Sequence, residues 1–263
     1  VAGLPGVVRG VVGPPVRRVR REVQWLRPEF RVAVGPAAAF PHDVAQHATP
    51  LIRVLAGLDP QLQHNKVVNL RLAAARLDGL VLRPGQRLSF WRQVGTPSRR
   101  RGFVDGLVLR RGELGAGVGG GMCQLTNLLF WMTLHTPLTV VERWRHSYDV
   151  FPDSGRAQPF GSGATCAWPV LDLQVVNRTG VGFRLGVRVG DTDLEGAWTA
   201  DAPVVVRCEV YEVDHRITED ALGVRTRRNV LRRRALDGAR VVVGDEVVAT
   251  NEARVMYDAT DTG

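Results

Sequence analysis

Cysteine is scarce in this chain of 263 residues: there are three, at Cys123, Cys166 and Cys208. No two form a CxxC pair, so zinc ribbons, zinc fingers and iron–sulfur clusters lack a ligand framework. A small disulfide-stapled secreted scaffold is excluded as well. Long hydrophobic runs are also missing. No apolar stretch reaches the ~20 residues of a membrane-spanning helix, so no transmembrane segment is expected. Lysine is nearly absent: Lys66 stands alone, and 34 of the 35 basic residues are arginine. The net charge of +9 therefore reads first as an arginine bias. Apart from Arg17-Arg18-Val19-Arg20-Arg21, Arg99-Arg100-Arg101 and Arg232-Arg233-Arg234, the arginines are scattered among acidic residues. A solvated basic surface fits that pattern better than a nucleic-acid partner. The N-terminus has no basic n-region, and Gly10, Gly13, Pro14 and Pro15 break its apolar stretch. A cytoplasmic location is the expectation. The chain starts at Val1 rather than Met, and residues upstream would place it at the cell envelope instead.

The chain has ample apolar material, with 44% hydrophobic and 23% charged residues, which rules out wholesale disorder. The length suits one large domain. Residues 1–40 are Gly/Pro/Arg-rich and read as a basic, poorly ordered N-terminal arm with a short helix over 16–26. The core is expected over 41–190, and 191–263 as a β-rich C-terminal extension of the same domain. Helical spacing covers 44–58, with Leu51, Val54, Leu55 and Leu58 on one face, and 65–77, closed by Gly79. Short strands are expected at 80–82 and 87–91 around Pro84-Gly85, and at 106–110. A strong helix pattern over 123–135 stops at Thr136-Pro137, and a strand follows at 138–141. Residues 170–176 and 181–189 flank Asn177-Arg178-Thr179-Gly180 as an expected hairpin. Further strands are expected at 203–213, 224–232 and 239–248. The predicted class is α+β, with a few helices packed on mainly antiparallel strands.

The most informative segment is Gly119-Gly120-Gly121-Met122-Cys123-Gln124-Leu125-Thr126-Asn127. Three glycines in a row belong to a turn, where missing Cβ atoms admit another chain or a ligand. A cysteine just after such a turn lies in the first turn of a helix. Free N–H groups and a partial positive charge there favour thiolate, the nucleophilic form. The same N–H groups can hold an oxyanion. The bland reading is a structural cysteine beside a packing turn. A thiol catalyst needs a base, and His146, just past the expected strand, is the candidate. Asp149 and Asp172 both remain open as residues that orient its ring. His135, at the helix end, reads as structural. Gly115 to Gly120 also matches GxGxxG, but the preceding strand does not run into the first glycine and no βαβ units follow, so a dinucleotide fingerprint is rejected. Cys123, His146 and Cys166 are zinc-type residues without a short chelating pair, which disfavours a metal site.

From these residues the chain resembles the VanW family, named for an accessory protein of the vancomycin-B-type resistance cluster. The resemblance rests on GGGMCQLTNLLFWMTLHTPLTVVERWRHSYDVFPD and QPFGSGATCAW, and upstream on NKVVNLRLAAARLDGLVLRPGQRLSFW and GFVDGLVL. It spans about 45–260 and marks a short, single-domain member. Some longer, exported relatives are L,D-transpeptidases whose nucleophile is the cysteine of the glycine–cysteine motif. The resemblance thus implies a cysteine acyl transferase on peptidoglycan stem peptides or precursors, with Cys123 as nucleophile and His146 as base. Gly119, Gly120, Gly121, Gln124, Thr126, Arg143 and Ser147 would line the site, and no metal or organic cofactor would be needed. Where the long relatives tend to have Asp-Ala-Thr, this chain has Gly163-Ala164-Thr165, so an acidic orienting residue is missing there. Cys166 is not a feature of those relatives. The rival expectation is a non-catalytic protein that binds a cell-wall peptide or a glycopeptide.

Overall fold

Buried side chains recur with period two along residues 183–200: Phe183, Leu185 and Val187 on one run, then Leu194, Trp198 and Ala200 on the next. That alternation belongs to strands with one face on a core. The computed structural model describes residues 6–52, 59–110, 113–150 and 158–257. In chain order the elements are α1 (Gly6–Trp25), β1 (Ala33–Val34), β2 (His42–Pro50), α2 (Pro60–Leu77), β3 (Leu80–Leu82), β4 (Arg87–Ser89), α3 (Phe90–Val94), β5 (Asp105–Arg110), β6 (Glu113–Val118), α4 (Met122–Leu134), β7 (Thr139–Glu142), β8 (Tyr148–Asp149), β9 (Gln174–Val176), β10 (Phe183–Val189), β11 (Asp193–Ala200), β12 (Arg207–Glu219), β13 (Arg225–Leu236) and β14 (Val242–Val255). The expected α+β class holds. Among the described residues the only parallel pairing of strands is β14 with β8. No helix among them is long and apolar enough to cross a membrane.

A five-stranded sheet in the order β1-β3-β10-β11-β2 forms the floor. Helix α2 lies against β10, and α4 lies against β11 and β2. Asp59 caps α2, its carboxylate accepting from Gln61 N at 2.8 Å, with Pro60 in the first turn. Helix α4 is buried on most sides through Met122, Leu125, Leu128, Leu129, Phe130, Met132 and Leu134. Each such side chain contributes about 1.5–3 kcal/mol of burial, so the helix is fixed by the core rather than by propensity. Its close approach to β11 uses Gly196, where a Cβ would lie 2.5 Å from the Met132 methyl. Three smaller sheets surround this layer: β4-β9-β7, the β5-β6 hairpin, and β12-β13-β14-β8.

Several expectations change. The helix expected over 44–58 is strand β2 over its first part. Residues 42–50 pair with β11 at the sheet edge, and the half-buried positions include polar His47 and Thr49 and shift phase at a bulge, which hides the period-two signal. Residues 53–58, with Val54, Leu55 and Leu58, lie outside the described residues. The expected hairpin of 170–176 with 181–189 does not form, because β9 pairs with β4 and β7 while β10 pairs with β3 and β11. Its connection is a crossing between sheets, tied by Asn177 Nδ2 to the Leu82 and Val181 carbonyls at 2.8 and 2.7 Å. The poorly ordered arm is also corrected at its C-terminal end. Trp25 is buried and donates to Ser89 Oγ at 2.8 Å, and Arg21 forms a two-pronged pair with Glu142 at 2.7 and 2.5 Å.

Candidate functional site

The β5-β6 hairpin delivers the chain into the glycine triplet. Gly115 and Gly117 are residues of β6, which is what removes the dinucleotide reading. Gly119 has φ +76° and Gly121, the N-cap of α4, has φ +100°, a region that favours glycine. The space left by the missing Cβ atoms is filled by the protein itself. A Cβ would lie 2.5 Å from Pro97 at Gly119, 2.2 Å from the Gly106 carbonyl carbon at Gly120, and 2.1 Å from the Lys66 stem at Gly121. The Gly119 and Gly120 N–H groups donate to the Val104 and Gly117 carbonyls at 3.0 and 2.9 Å. Buried Asn69 locks the turn, donating to the Gly120 and Val104 carbonyls and accepting from Val104 N. The triplet thus builds the turn and aims the helix. The first-turn N–H groups of Met122 and Cys123 have no acceptor within the helix.

Cys123 is the second residue of α4 and is half-buried. Its Sγ approaches the Cys166 carbonyl oxygen at 3.9 Å, and the Cys166 thiol and the His146 side chain both act on its titration. The Cys166 hydrogen bond, with His146 adding a hydrogen bond and charge, outweighs the cost of burial and holds the Cys123 thiol well below the ordinary range. Cys166 moves the opposite way: burial, then the neighbouring Cys123, push its thiol well above that range. The helix N-terminus and the imidazole both sit on the Cys123 side, so of the two thiols Cys123 is the one favoured toward thiolate.

The structure thus sets His146 and Cys166 in the surroundings that act on Cys123, and Cys166 is the one the sequence reading set aside. The other expected residues are turned to internal partners. Gln124 Nε2 donates to Thr49 Oγ1 and the Pro50 carbonyl at 3.1 and 2.9 Å, tying α4 to β2. Thr126 is fully buried and its hydroxyl donates to the Ala164 carbonyl at 2.5 Å. Arg143 binds the Gly161 and Gly163 carbonyls at 2.6 and 2.7 Å and Asn251 Oδ1 at 2.8 Å, and lies over the Phe130 ring. Burial and Arg145 lower its pKa to about 10. Ser147 is exposed, with its carbonyl accepting from Arg254 N. Of the two carboxylates left open as orienters, Asp149 faces Arg227 and Tyr257, and Asp172 faces Ser89, Trp91 and Gln174. Among the described residues no His/Cys/Asp/Glu group could hold a metal ion. Two other concavities, of about 190 and 300 Å³, are not lined by Cys123, His146 or Cys166.

Fold and site together define an α+β domain organised around a helix-borne cysteine with an imidazole and a second thiol against it. A family model described as VanW like protein matches residues 65–199. The vancomycin B-type resistance protein VanW of Enterococcus faecalis (strain ATCC 700802 / V583) is 33% identical over 201 residues, covering 76% of this chain and 73% of that protein. The chain belongs to the VanW family. It is also similar to the uncharacterized protein YoaR of Bacillus subtilis (strain 168), 33% identical over 110 residues, which cover 42% of this chain and 35% of that one. No solved structure matches.

Proposed function

We propose that the chain is a cysteine acyl transferase acting on peptidoglycan-related peptides through Cys123. The observation that carries this reading is a thiol in the first turn of α4, in surroundings, the Cys166 thiol and His146 among them, that favour the thiolate. The thiolate attacks a stem-peptide carbonyl, and the oxyanion meets the first-turn N–H groups of Met122 and Cys123. His146 protonates the leaving amine, and a thioester on Cys123 remains. An acceptor amine then attacks the thioester, passes its proton to His146 and frees the thiol. The resistance role in the name of the enterococcal relative supports a cell-wall setting.

Incubation with a tetrapeptide stem followed by intact mass measurement tests the proposal. A covalent adduct on the wild type that is absent from Cys123→Ala is expected. Equal peptide binding by both proteins with no adduct overturns acyl transfer and leaves a peptide-binding protein. The alkylation rate against pH is the second readout. Thiolate reactivity should persist well below ~8.5, the free-thiol value. Since thiolate is the reacting form, the rate falls only as pH drops through the depressed pKa.

A further inference from the structure

We propose that Cys123 and Cys166 form a peroxide-responsive dithiol that closes to a disulfide and reopens on reduction. The two residues are 43 apart in sequence, yet the Cys123 sulfur lies 3.9 Å from the Cys166 carbonyl oxygen. Acyl transfer by Cys123 and His146 has no use for a second thiol. Two further bonds hold the partners in register. Thr126 Oγ1 donates to the Ala164 carbonyl at 2.5 Å, and Asn127 Oδ1 accepts from Ala164 N at 2.7 Å, so the first turns of α4 are pinned two residues from Cys166. The two cysteines are therefore held side by side, and closure brings their sulfurs to the ~2.05 Å of an S–S bond.

The exposures divide the labour. Cys123 is half-buried, whereas Cys166 is buried at 9% exposure. Hydrogen peroxide is the oxidant of fitting size. The Cys123 thiolate attacks one peroxide oxygen, the O–O bond breaks, and hydroxide leaves, giving a sulfenic acid on Cys123. The Cys166 sulfur then attacks the Cys123 sulfur, displacing the sulfenic oxygen, which takes up the Cys166 proton and departs as water. Two thiols and one peroxide become one disulfide and two waters. A thiol reductant reverses the change by exchange. Oxidation removes the nucleophile from use and also shields it from the irreversible sulfinic and sulfonic acids. The third cysteine, Cys208, sits on β12 opposite Ala235, and it serves as the internal control.

The pair does not depend on the acyl-transfer reading, because its readout is the protein's own mass. Purified protein is treated with hydrogen peroxide, digested without reduction and mapped. A loss of two hydrogens, a Cys123–Cys166 linked peptide and full reversal by dithiothreitol are expected, and Cys208→Ser should behave identically. In Cys166→Ser, Cys123 should be trapped as sulfenic acid by dimedone and proceed to irreversible oxygen addition. Should that variant misfold, the wild-type map still decides. Stepwise oxygen addition at Cys123 with no linked peptide overturns the proposal. If the disulfide forms but no stem-peptide adduct appears, the proposed acyl transfer fails and the dithiol stands.

Discussion

Two short, glycine-bearing segments meet at the site and treat their cysteines differently. The first, 119–123, packs two of its three glycines against rigid atoms: Gly120 against the Gly106 backbone and Gly119 against Pro97. It ends in an open helix terminus, and Cys123 is held toward thiolate. The second, 161–166, packs against side-chain ends: Gly161 faces the Asn251 amide and Gly163 the Asn127 amide. Its carbonyls are gathered by Arg143 and Thr126, and Cys166 is buried and held as a thiol. Cysteine chemistry here follows from what surrounds the sulfur rather than from the presence of a neighbouring glycine turn.

The contrast can be broken most severely at Gly120. Alanine there would place a Cβ against backbone, with no side chain able to yield. A loss of about 3 kcal/mol or more in urea unfolding is expected. A loss below about 0.5 kcal/mol would show that the first segment is not rigid.

Asp172 sharpens the comparison next, because its charge helps to raise the Cys166 thiol. Burial raises its own pKa to about 6, although Ser89, Trp91 and Gln174 donate to it. The folded value lies above the unfolded one. Its contribution to stability is therefore complete below the unfolded pKa and lost as pH rises through about 6. Wild type should gain on Asp172→Asn by up to about 3 kcal/mol as pH falls from about 7 to 4. A difference that stays flat in paired thermal melts would refute this.

Thr126→Val should cost about 2 kcal/mol, since the buried Ala164 carbonyl loses its hydroxyl donor. The same change should also lower the yield of the Cys123–Cys166 linkage, read by the peptide map. Gly163→Ala should cost least, about 1 kcal/mol, because the Asn127 amide can turn away at the expense of its bond to Ala164 N. If Gly163→Ala equals Gly120→Ala in the same urea assay, the distinction between the two segments fails.

Helix α4 and the glycine turn were legible in the sequence because turn chemistry, helical period and the Thr136-Pro137 stop agree. That short path of helix, stop and returning strand β7 is what suggested His146 as the partner of Cys123. Strand β6 was missed because Gly115 and Gly117 carry no side chains to show a period, and β2 because an edge strand shows none clearly. Gln124, Thr126 and Arg143 were placed near the site, but sequence does not show which way a polar side chain turns, and all three make internal bonds. Cys166 left no spacing signal. Its position is set by tertiary bonds of Arg143 and Thr126 to carbonyls two to five residues before it.

The stretch carrying His146 is moored from both ends of the chain. Arg21, in α1, grips Glu142. From β14 and just beyond, Asn251 receives Arg143, while Arg254 N and Met256 N donate to the Ser147 and Asp149 carbonyls at 2.9 Å. All of these moorings fall outside residues 65–199, the span shared with the family model. An excised fragment cut to that span would lose these moorings, and with β2 the tie that Gln124 makes from α4. The span matched by the family model and the span that braces the stretch around His146 are therefore different lengths of the same chain.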